Sequence, residues 1–526
     1  MSSKLIWGSI FSACILHFTH LPAISQTYEV YDQNLMLKSR VEYDHIRILG
    51  ESVRISNANN QVKLLSREYK PFINLKAESI HAYDQPWIIT QGKQGKGAFH
   101  EYGEEILPAE YDNVQTFFTR LLANKGRQYW LYDHSTRELT DVGTFDEAIL
   151  AMNGQVIAKT AQGYFLPLSD DPDHLFDEIR EINQNYLIAK EATGYGLVNR
   201  EGNYVLRPVI DHLVHLEEDY FYAYDGNQYM LIKGREGKAD ISYSSYHKIT
   251  NEDGMLLEYI HGKLRRVMDN DGILLDQVGM EKVLPVGEKH YNVFLRDQTM
   301  GLLGPKGWEV KPIAGVDKIL PGKEGLYPAL KDGKLGFVDV LGKWAIPAKF
   351  EDGKKFNEGF AAVKSNGRWG YIDRNGSWIS DTQFEQGAEF KRGLALVRLS
   401  GKQNLIDRSG NLLLSEGYER ISRGADNYFI TEDDNKFGLI APDGKEIVAP
   451  KFQELRREDL NKILVRLGDK YGILDENGDY LLPLYYKSIV FDQGANQILA
   501  EDFYQFEPEP TADIKVESNG RKKRGG

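Results

Sequence analysis

Histidines and acidic clusters are the residues of this sequence that could bind a metal ion. His212-Leu-Val-His215 contains two imidazoles, but residues three apart on a strand point to opposite faces and do not converge on one ion. Asp269-Asn-Asp-Gly272 and Asp170-Asp-Pro-Asp173 are similar to calcium loops. An EF-hand loop needs a Glu six residues beyond its Gly, where this sequence has Val278. We therefore predict no metal site and no cofactor, and interpret the Asp170 cluster as a surface loop.

Aromatic side chains could bind sugar rings by stacking. Trp344, Trp378, Tyr204 and Tyr480 occupy one slot, eight residues after a position that recurs along the chain and is usually glycine. An aromatic residue at a fixed repeat position is more often a hydrophobic anchor packed between strands. We interpret the slot as structural, and a glycan-binding role is kept as the alternative.

Carboxylates that could act as catalytic acids also recur with the repeat. Asp339, Asp373, Asp407 and Asp475 each follow the same signature. A catalytic acid is expected once rather than once per repeat, so turn capping is favoured. The sequence contains no Gly-x-Ser-x-Gly, no phosphate-binding glycine loop and no candidate nucleophilic cysteine. We predict that the protein is not an enzyme; a hydrolase whose site gathers distant residues is a further alternative.

Charge and cysteine content exclude other classes of function. The 526 residues carry a net charge of -13, which argues against non-specific binding of nucleic acid. The only basic cluster, Arg521-Lys-Lys-Arg524, is interpreted as a solubilising end of the chain. Cys14 is the single cysteine, so an internal disulfide is impossible.

The N-terminal segment predicts export. Lys4 precedes an apolar run from Leu5 to Leu16, and Ala23-Ile-Ser25 is a small-x-small cleavage pattern. Residues 1–25 are therefore predicted to be a signal peptide, with a periplasmic or extracellular mature chain. A lipoprotein anchored through Cys14 and an uncleaved anchor are the alternatives. No other apolar stretch is long enough to span a bilayer.

These residues are positioned by a repeat of about 34 residues. One position, usually glycine, can be followed twelve times, and the last four intervals are each 34 residues. Such a period indicates a solenoid, a propeller or another stacked array. The equivalent positions are Gly97, Trp130, Phe165, Gly196, Met230, Arg266, Gly301, Gly336, Gly370, Asn404, Gly438 and Gly472.

Each unit is predicted to contain three short strands and a docking segment. Asn366-Gly367 predicts a two-residue hairpin between the first two strands, and Asp373-Arg-Asn-Gly376 a second turn. The third strand is predicted to end at proline, as at Pro347 and Pro483, because proline removes a ladder donor. The docking segment follows. It begins at an aromatic residue fourteen positions after the signature position (Tyr111, Phe350, Phe384, Tyr418, Phe452, Tyr486), with an aliphatic three later (Val114, Ile421, Leu455, Ile489).

The signature Lys/Arg-aromatic-Gly-x-Ile-Asp-x-x-Gly resembles the WG-repeat family, also called KWG repeats. The resemblance covers roughly Trp87 to Phe503, although only Trp369-Gly370 is a literal Trp-Gly pair. It implies a bacterial β-repeat protein that mediates interactions and has no established set of catalytic residues.

The sequence thus predicts an all-β tandem array of about 13 short β-meander units. We expect an open, solenoid-like superhelix, because 13 blades exceed the usual number in one propeller. One or two β-propeller-like domains are the alternative. The predicted organisation is a signal peptide (1–25), degenerate repeats (26–86), the WG-type array (87–503) and a disordered tail (504–526). The predicted function is a non-catalytic scaffold for protein or cell-envelope partners, with glycan binding as the alternative and no nucleic-acid partner.

Overall fold

A computed structural model describes residues 26–58, 61–75, 77–252, 254–424, 427–459 and 462–505. Over these residues the chain forms 54 strands in fourteen antiparallel sheets. The predicted all-β fold class is confirmed. Among the described residues no helix is long and apolar enough to cross a membrane. The predicted signal peptide with Cys14, and residues 506–526 of the predicted tail, lie outside the described residues.

The chain divides into two units. Unit 1 contains residues 1–79 and 486–526, and unit 2 contains residues 80–485. The strands that belong to unit 1 are β1 (Gln26–Asp32), β2 (Leu37–Tyr43), β3 (Ile46–Leu49), β4 (Val53–Ala58), β5 (Gln61–Leu65), β6 (Pro71–Leu75), β53 (Ser488–Asp492) and β54 (Gln497–Gln505).

Unit 2 holds twelve sheets, whose outermost strands β7 and β52 each extend one residue past the unit boundary. Its first six sheets contain β7 (Ser79–Asp84), β8 (Trp87–Gln91), β9 (Lys96–His100), β10 (Glu105–Tyr111); β11 (Asn113–Phe117), β12 (Arg120–Lys125), β13 (Gln128–Asp133), β14 (Glu138–Thr144); β15 (Glu147–Leu150), β16 (Val156–Thr160), β17 (Gly163–Phe165); β18 (Glu178–Glu181), β19 (Leu187–Glu191), β20 (Gly194–Val198), β21 (Tyr204–Ile210); β22 (His212–His215), β23 (Tyr220–Tyr224), β24 (Tyr229–Arg235), β25 (Lys238–Ser245); β26 (Lys248–Glu252), β27 (Met255–Ile260), β28 (Lys263–Asp269) and β29 (Gly272–Asp276). The other six sheets contain β30 (Met280–Gly287), β31 (His290–Leu295), β32 (Thr299–Gly304), β33 (Gly307–Ala314); β34 (Lys318–Ile319), β35 (Leu326–Lys331), β36 (Lys334–Asp339), β37 (Trp344–Phe350); β38 (Asp352–Gly353), β39 (Phe360–Ser365), β40 (Arg368–Asp373), β41 (Trp378–Phe384); β42 (Gln386–Gly387), β43 (Ala395–Leu399), β44 (Lys402–Ile406); β45 (Arg420–Arg423), β46 (Phe429–Asp433), β47 (Lys436–Ile440), β48 (Glu446–Phe452); β49 (Glu454–Asp459), β50 (Lys462–Leu467), β51 (Lys470–Leu474) and β52 (Tyr480–Tyr486).

Each regular sheet has four strands, which corrects the prediction of three strands and a docking segment. The aliphatic residues Val114, Ile421 and Leu455 lie on β11, β45 and β49, which are the first strands of the following sheets. In the most regular units this first strand is only two residues long, as in β38. A two-residue strand has no visible alternation of apolar and polar residues, so the sequence pattern could not reveal it.

The signature glycine lies opposite a bulge in the fourth strand. Leu335 pairs with Phe350 and Phe337 with Ile346, so three residues of β37, including Pro347, oppose the single Gly336. A Cβ at Gly336 would meet the Ile346 carbonyl oxygen at 2.5 Å. The prediction that the strand ends at proline is therefore wrong. Proline is tolerated because the bulge leaves its position outside the ladder.

The Asp of the signature caps the following turn, as predicted. The Oδ1 atom of Asp373 accepts hydrogen bonds from the backbone N–H groups of Asn375 and Ser377, each at 2.9 Å. The same pair of bonds is made by Asp339, Asp407 and Asp475. These carboxylates are therefore held in hydrogen bonds to the backbone.

Neighbouring sheets of unit 2 bury aromatic side chains against each other. Phe390, in the loop after β42, is fully buried, and its ring centroid lies 5.2 Å from that of Tyr371 in the preceding sheet, where Tyr371 also contacts the buried Phe384 ring. Phe356 lies in the loop after β38 and packs against Phe337 of the preceding sheet at 4.8 Å. Each such ring contributes roughly 1.5–3 kcal/mol by burial. A single sheet could not bury these rings alone.

The first and last strands share one sheet in unit 1. Its strand order is β2-β1-β54-β53, and Val30 of β1 pairs with Leu499 of β54. An open array would leave its terminal strands in different sheets, so the preferred open-array prediction is wrong. Four-stranded meander sheets of this kind are blade-like, and they correspond to the propeller-like alternative.

Candidate functional site

A cleft of about 240 Å³ is formed in unit 2 by the hairpin turns of three consecutive sheets. These sheets are β22–β25, β26–β29 and β30–β33, and the second has Arg266 where regular sheets have glycine. The cleft is lined by Leu216, Glu217, Gly254, Asp269, Asn270, Leu274, Lys289, Tyr291 and Pro305. It therefore lies in the part of the array where the repeat is least regular.

Local turn chemistry positions the charged side chains of the cleft. Glu288 and Lys289 have φ values of 52° and 58°, as in the two-residue type I′ turn that matches the twist of a hairpin. This turn places Lys289 at the tip between β30 and β31. Asp269 ends β28, and its Oδ1 atom accepts hydrogen bonds from the N–H groups of Asp271 at 2.9 Å and Gly272 at 3.1 Å. Asp269 is thus a turn cap that also faces the cleft.

An ion pair is part of the cleft lining. The Lys289 Nζ atom is 2.8 Å from Glu217 Oε1. This hydrogen bond lowers the pKa of Glu217 and raises the pKa of Lys289, so both groups are charged at neutral pH. Asn270 makes a smaller contribution to the lowered pKa of Glu217, and its carboxamide oxygen is buried with no hydrogen-bond partner among the described residues.

Tyr291 supplies an aromatic ring and a hydroxyl to the same cleft. Burial raises the pKa of Tyr291, and the negative charge of Asp269 adds to this shift. The Tyr291 hydroxyl makes no hydrogen bond to another described residue. The apolar side chains of Leu216, Leu274 and Pro305 also line the cleft. The lining therefore combines charged, polar and apolar groups.

The displaced pKa values of the carboxyl groups all lie on the ionised side. Every described Asp or Glu with a displaced pKa has it displaced downward, for example Glu217, Glu358 and Asp475. A general acid working near neutral pH needs a raised carboxyl pKa. The arrangement of Glu217 with Lys289 can accept and donate hydrogen bonds, but it does not hold a proton ready for transfer.

A second feature of unit 2 is a set of three exposed apolar side chains on the hairpin turns of β7–β17. Its members are Tyr102, Phe118 and Met152, which are 73%, 62% and 47% exposed. Tyr102 lies in the β9–β10 turn, Phe118 at the tip of β11–β12 and Met152 in the β15–β16 turn. We call these three residues the aromatic patch.

Buried rings support the aromatic patch. The Trp87 indole donates a hydrogen bond of 2.6 Å to the Phe118 carbonyl oxygen. The His100 ring stacks on His134 with centroids 4.8 Å apart, and it lies 5.0 Å from the Tyr102 ring. Burial lowers the pKa of His100, and the neighbouring His134 lowers it further. These contacts hold the β9–β10 turn, which carries Tyr102, and the β11–β12 turn, which carries Phe118.

The His212–His215 pair and the Asp170 cluster noted in the sequence are not among the residues that line the cleft. His215 is hydrogen-bonded to the Glu218 carbonyl oxygen at 2.7 Å, and the His212 ring lies 6.5 Å from the Tyr224 ring. The Asp170 cluster lies in the loop between β17 and β18. Within the described ranges, no group of three or more His, Cys, Asp or Glu side chains is arranged to hold a metal ion.

The aromatic slots are partly packed. The Tyr204 hydroxyl donates to Glu191 at 2.7 Å, and the Trp378 ring packs edge-on against Phe350 at 5.9 Å. Trp378 also covers Gly370, where a Cβ would meet its ring at 2.9 Å. In the two sheets between Trp378 and Tyr480 the slot holds Leu412 and Glu446. The slots therefore do not form a continuous row of rings there.

Sequence reasoning identified only Asp269 and Asn270 among the residues of the cleft. Glu217, Lys289 and Tyr291 lie in other sheets and share no motif with them. The one available signal was the loss of the signature glycine at Arg266, which marks an irregular sheet without naming its ligand.

Fourteen small antiparallel sheets with a recurrent turn signature define a tandem β-repeat protein. The family model described as WG containing repeat matches residues 336–369, 369–402 and 437–471. The resemblance to WG repeats is thus confirmed over these three stretches. No curated protein matches the chain.

Solved structures resemble the chain only weakly. One is the extracellular domain of the putative one component system BT4673 from B. thetaiotaomicron, with 11% identity, coverage of 93% of this chain and 83% of that chain, and a TM-score of 0.20. Another is PorZ of Porphyromonas gingivalis, described as an essential bacterial surface component of the type-IX secretion system. It has 10% identity, coverage of 88% and 80%, and a TM-score of 0.18. Scores this low carry no argument about fold or function.

Proposed function

We propose that this chain is a non-catalytic repeat scaffold that binds a protein or another envelope component outside the cytoplasm. The aromatic patch is the observation that carries the proposal. Tyr102, Phe118 and Met152 are large apolar side chains, each about half exposed or more, on hairpin turns of neighbouring sheets. Exposed apolar clusters mark interaction sites, and Tyr, Phe and Met are enriched in protein interfaces.

Two further observations support this proposal. The displaced carboxyl pKa values are all lowered among the described residues, for example that of Asp133 beside the patch, and this disfavours acid catalysis. The N-terminal segment predicts export, as the sequence pattern of residues 1–25 indicates.

Crosslinked affinity capture from the native envelope tests the proposal. The bait variants are the full chain, a patch variant with Tyr102→Ser and Phe118→Ser, and a control with Tyr246→Ser and Val278→Ser. Tyr246 and Val278 are 74% and 76% exposed and lie outside the patch, so the control also removes two exposed apolar side chains. Circular dichroism should show the same fold in all three.

The expected result is a partner that the full chain and the control retain and the patch variant loses. A partner captured equally well by the patch variant would show that the aromatic patch is not the docking surface. Turnover of an envelope polymer by the purified full chain would instead favour the hydrolase alternative.

Mass spectrometry of the protein from its native envelope tests the predicted export. A chain that begins at Gln26 is expected. A lipid-modified N-terminal Cys14 would support the lipoprotein alternative, and an intact Met1 would indicate that the segment is retained.

A further inference from the structure

The cleft between the turns of β22–β33 carries a second inference, independent of the aromatic patch. We propose that this cleft binds a single neutral sugar ring. The lining combines the Glu217–Lys289 pair at 2.8 Å and the free hydroxyl of Tyr291 with the apolar side chains of Leu216, Leu274 and Pro305. A sugar ring presents both kinds of group, because its hydroxyl groups lie at the edge and its C–H groups form an apolar face.

Charge selects a neutral ligand. Lys289 already pairs with Glu217, and Asp269 is engaged by two backbone N–H groups. A metal ion would be repelled by the Lys289 ammonium, and an anion would be repelled by Glu217 and Asp269. A hydroxyl group can accept from Lys289 and donate to Glu217 without adding a charge.

Hydrogen-bonding groups that lack partners point to a polar occupant. The Tyr291 hydroxyl is free among the described residues, although burial and nearby Asp269 have raised its pKa. The buried carboxamide oxygen of Asn270 also lacks a donor within the described chain. A buried polar atom such as the Asn270 carboxamide oxygen is costly without a partner. A hydroxyl-rich ligand, together with a water that it holds in place, would supply the missing partners.

Cavity size limits the ligand to one ring. The volume of about 240 Å³ lies below the range of roughly 300–1,000 Å³ that is typical for drug-sized ligands. The charged side chains are also half exposed, with Lys289 65% and Glu217 49% exposed. A small ligand in an open cleft is expected to bind weakly, with a dissociation constant on the order of 1 mM.

Saturation-transfer NMR and calorimetry on the full chain test this proposal. The probes are D-glucose, D-galactose, D-mannose and N-acetyl-D-glucosamine, with glycine and L-glutamate as charged probes of similar or smaller size. The variants are Tyr291→Phe, which removes only the hydroxyl, Leu274→Trp, which places a larger side chain at the cleft lining, and Tyr246→Phe as the exposed control.

At least one sugar is expected to bind in the millimolar range. Tyr291→Phe is expected to weaken binding about fivefold to tenfold, since one hydrogen bond is lost. Leu274→Trp is expected to abolish binding, and Tyr246→Phe to leave it unchanged. The patch variant with Tyr102→Ser and Phe118→Ser should still bind the sugar, so the two proposals can fail separately.

Three results would overturn the inference. The first is the absence of binding by every sugar probe at concentrations well above the millimolar range. The second is sugar binding that neither Tyr291→Phe nor Leu274→Trp affects, which would place the sugar elsewhere, for example on the aromatic slots. The third is tighter binding of glycine or L-glutamate than of any sugar, which would show that the cleft selects charge.

Discussion

Two neighbouring sheets with the same period solve one packing problem in different ways. In β38–β41, Gly370 lies opposite the bulged fourth strand, because it has no side chain to obstruct the Ser380 and Asp381 carbonyl oxygens. In the next sheet Asn404 occupies this position, and the fourth strand is replaced by an irregular segment. In the regular sheet the missing side chain of Gly370 makes room for the fourth strand. In the irregular sheet the side chain of Asn404 fills this position instead.

Asn404 replaces backbone hydrogen bonds with bonds from its carboxamide group. Its Nδ2 atom donates to the Leu414 carbonyl oxygen at 2.9 Å, and its Oδ1 atom accepts from the Leu414 N–H at 3.2 Å. The segment held in this way borders a cleft of about 410 Å³. The WG-repeat model matches the units on both sides but leaves out residues 403–436. Both clefts therefore lie at sheets that depart from the motif.

A second difference concerns loops that clasp neighbouring sheets. Glu358 Oε2 accepts hydrogen bonds from the Gly393 N–H at 2.7 Å and from the Arg408 guanidinium at 2.8 Å. Glu324 makes the equivalent contacts with Gly359 and Arg374. At the next equivalent position, 34 residues further on, the chain has Arg392, so this glutamate clasp stops where the irregular sheet begins.

Gly336→Ala is expected to have the largest effect on this comparison. The added Cβ would lie 2.5 Å from the Ile346 carbonyl oxygen and 2.6 Å from the Ala348 nitrogen, which are backbone atoms that cannot turn aside. We expect a loss of about 3 kcal/mol in the free energy of unfolding, measured by urea denaturation. Gly424→Ala is the matched control, since its nearest heavy atom is 3.5 Å away. Equal stability of the two variants would refute the close-approach explanation.

Asn404→Ala is expected to be the next most damaging change. Removing the carboxamide group leaves the backbone groups of Leu414 and the Leu405 N–H without their partners. A loss of about 2 kcal/mol in the free energy of unfolding is expected. Asn375→Ala, in an exposed turn, is the control. Asn404→Gly restores the motif without the bulged strand, so it should be as unstable as Asn404→Ala; a gain in stability would show that glycine alone suffices.

The sequence predicted the regular part of the fold because its elements are local. The capping by Asp373 and the hairpin turn at Asn366-Gly367 each involve residues a few positions apart. The two-residue first strand, the bulge opposite Gly336 and the pairing of β1 with β54 depend on partners outside the local pattern. For the same reason the cleft was missed, since Glu217, Asp269 and Lys289 meet only after three sheets have packed. The repeat motif was therefore enough to predict the sheets and their turns. The cleft could not be predicted from it, because its residues are brought together only by tertiary structure.

Arg408→Ala tests the clasp, with a smaller expected effect. Arg408 is 58% exposed and Glu358 is 23% exposed, and ion pairs at such sites typically contribute about 0.2–1 kcal/mol. We expect a loss of about 0.5 kcal/mol in the free energy of unfolding, measured by urea denaturation. The loss should be smaller in 1 M salt, because salt screens the ion pair. Arg374→Ala in the preceding clasp should behave alike, whereas Arg392→Ala should not destabilise the protein. A salt-independent loss would assign the effect to packing of the Arg408 side chain instead.

The smallest expected effect is a pH dependence that the clasp adds to stability. Burial by itself raises the pKa of Glu358, but hydrogen bonds from Arg408 and from the N–H groups of Gly393 and Arg392 outweigh this and lower the pKa below its ordinary value of 4.5. A carboxyl group with a lowered pKa in the folded state stabilises the protein above the unfolded pKa, and this stabilisation is lost as pH falls.

Glu358→Gln removes this titration and retains an acceptor for the backbone N–H groups. The difference in unfolding free energy between the original chain and the variant should be greatest near neutral pH and should narrow below about pH 4.5. Urea unfolding at a series of pH values measures it. A difference that stays constant down to pH 3 would contradict a role for the Glu358 charge.

The sheet shared by both ends of the chain sets the order in which the protein can fold. Arg54 is buried, and its guanidinium is paired with the buried carboxylate of Asp492, 438 residues later. A ribosome that adds about 5–20 residues per second needs about 20–90 s to bridge that interval. Throughout this time the nascent chain holds an arginine without its partner and a β1 edge without β54. The local sheets can form as they emerge, whereas the first unit stays unfinished until β53 and β54 have been made.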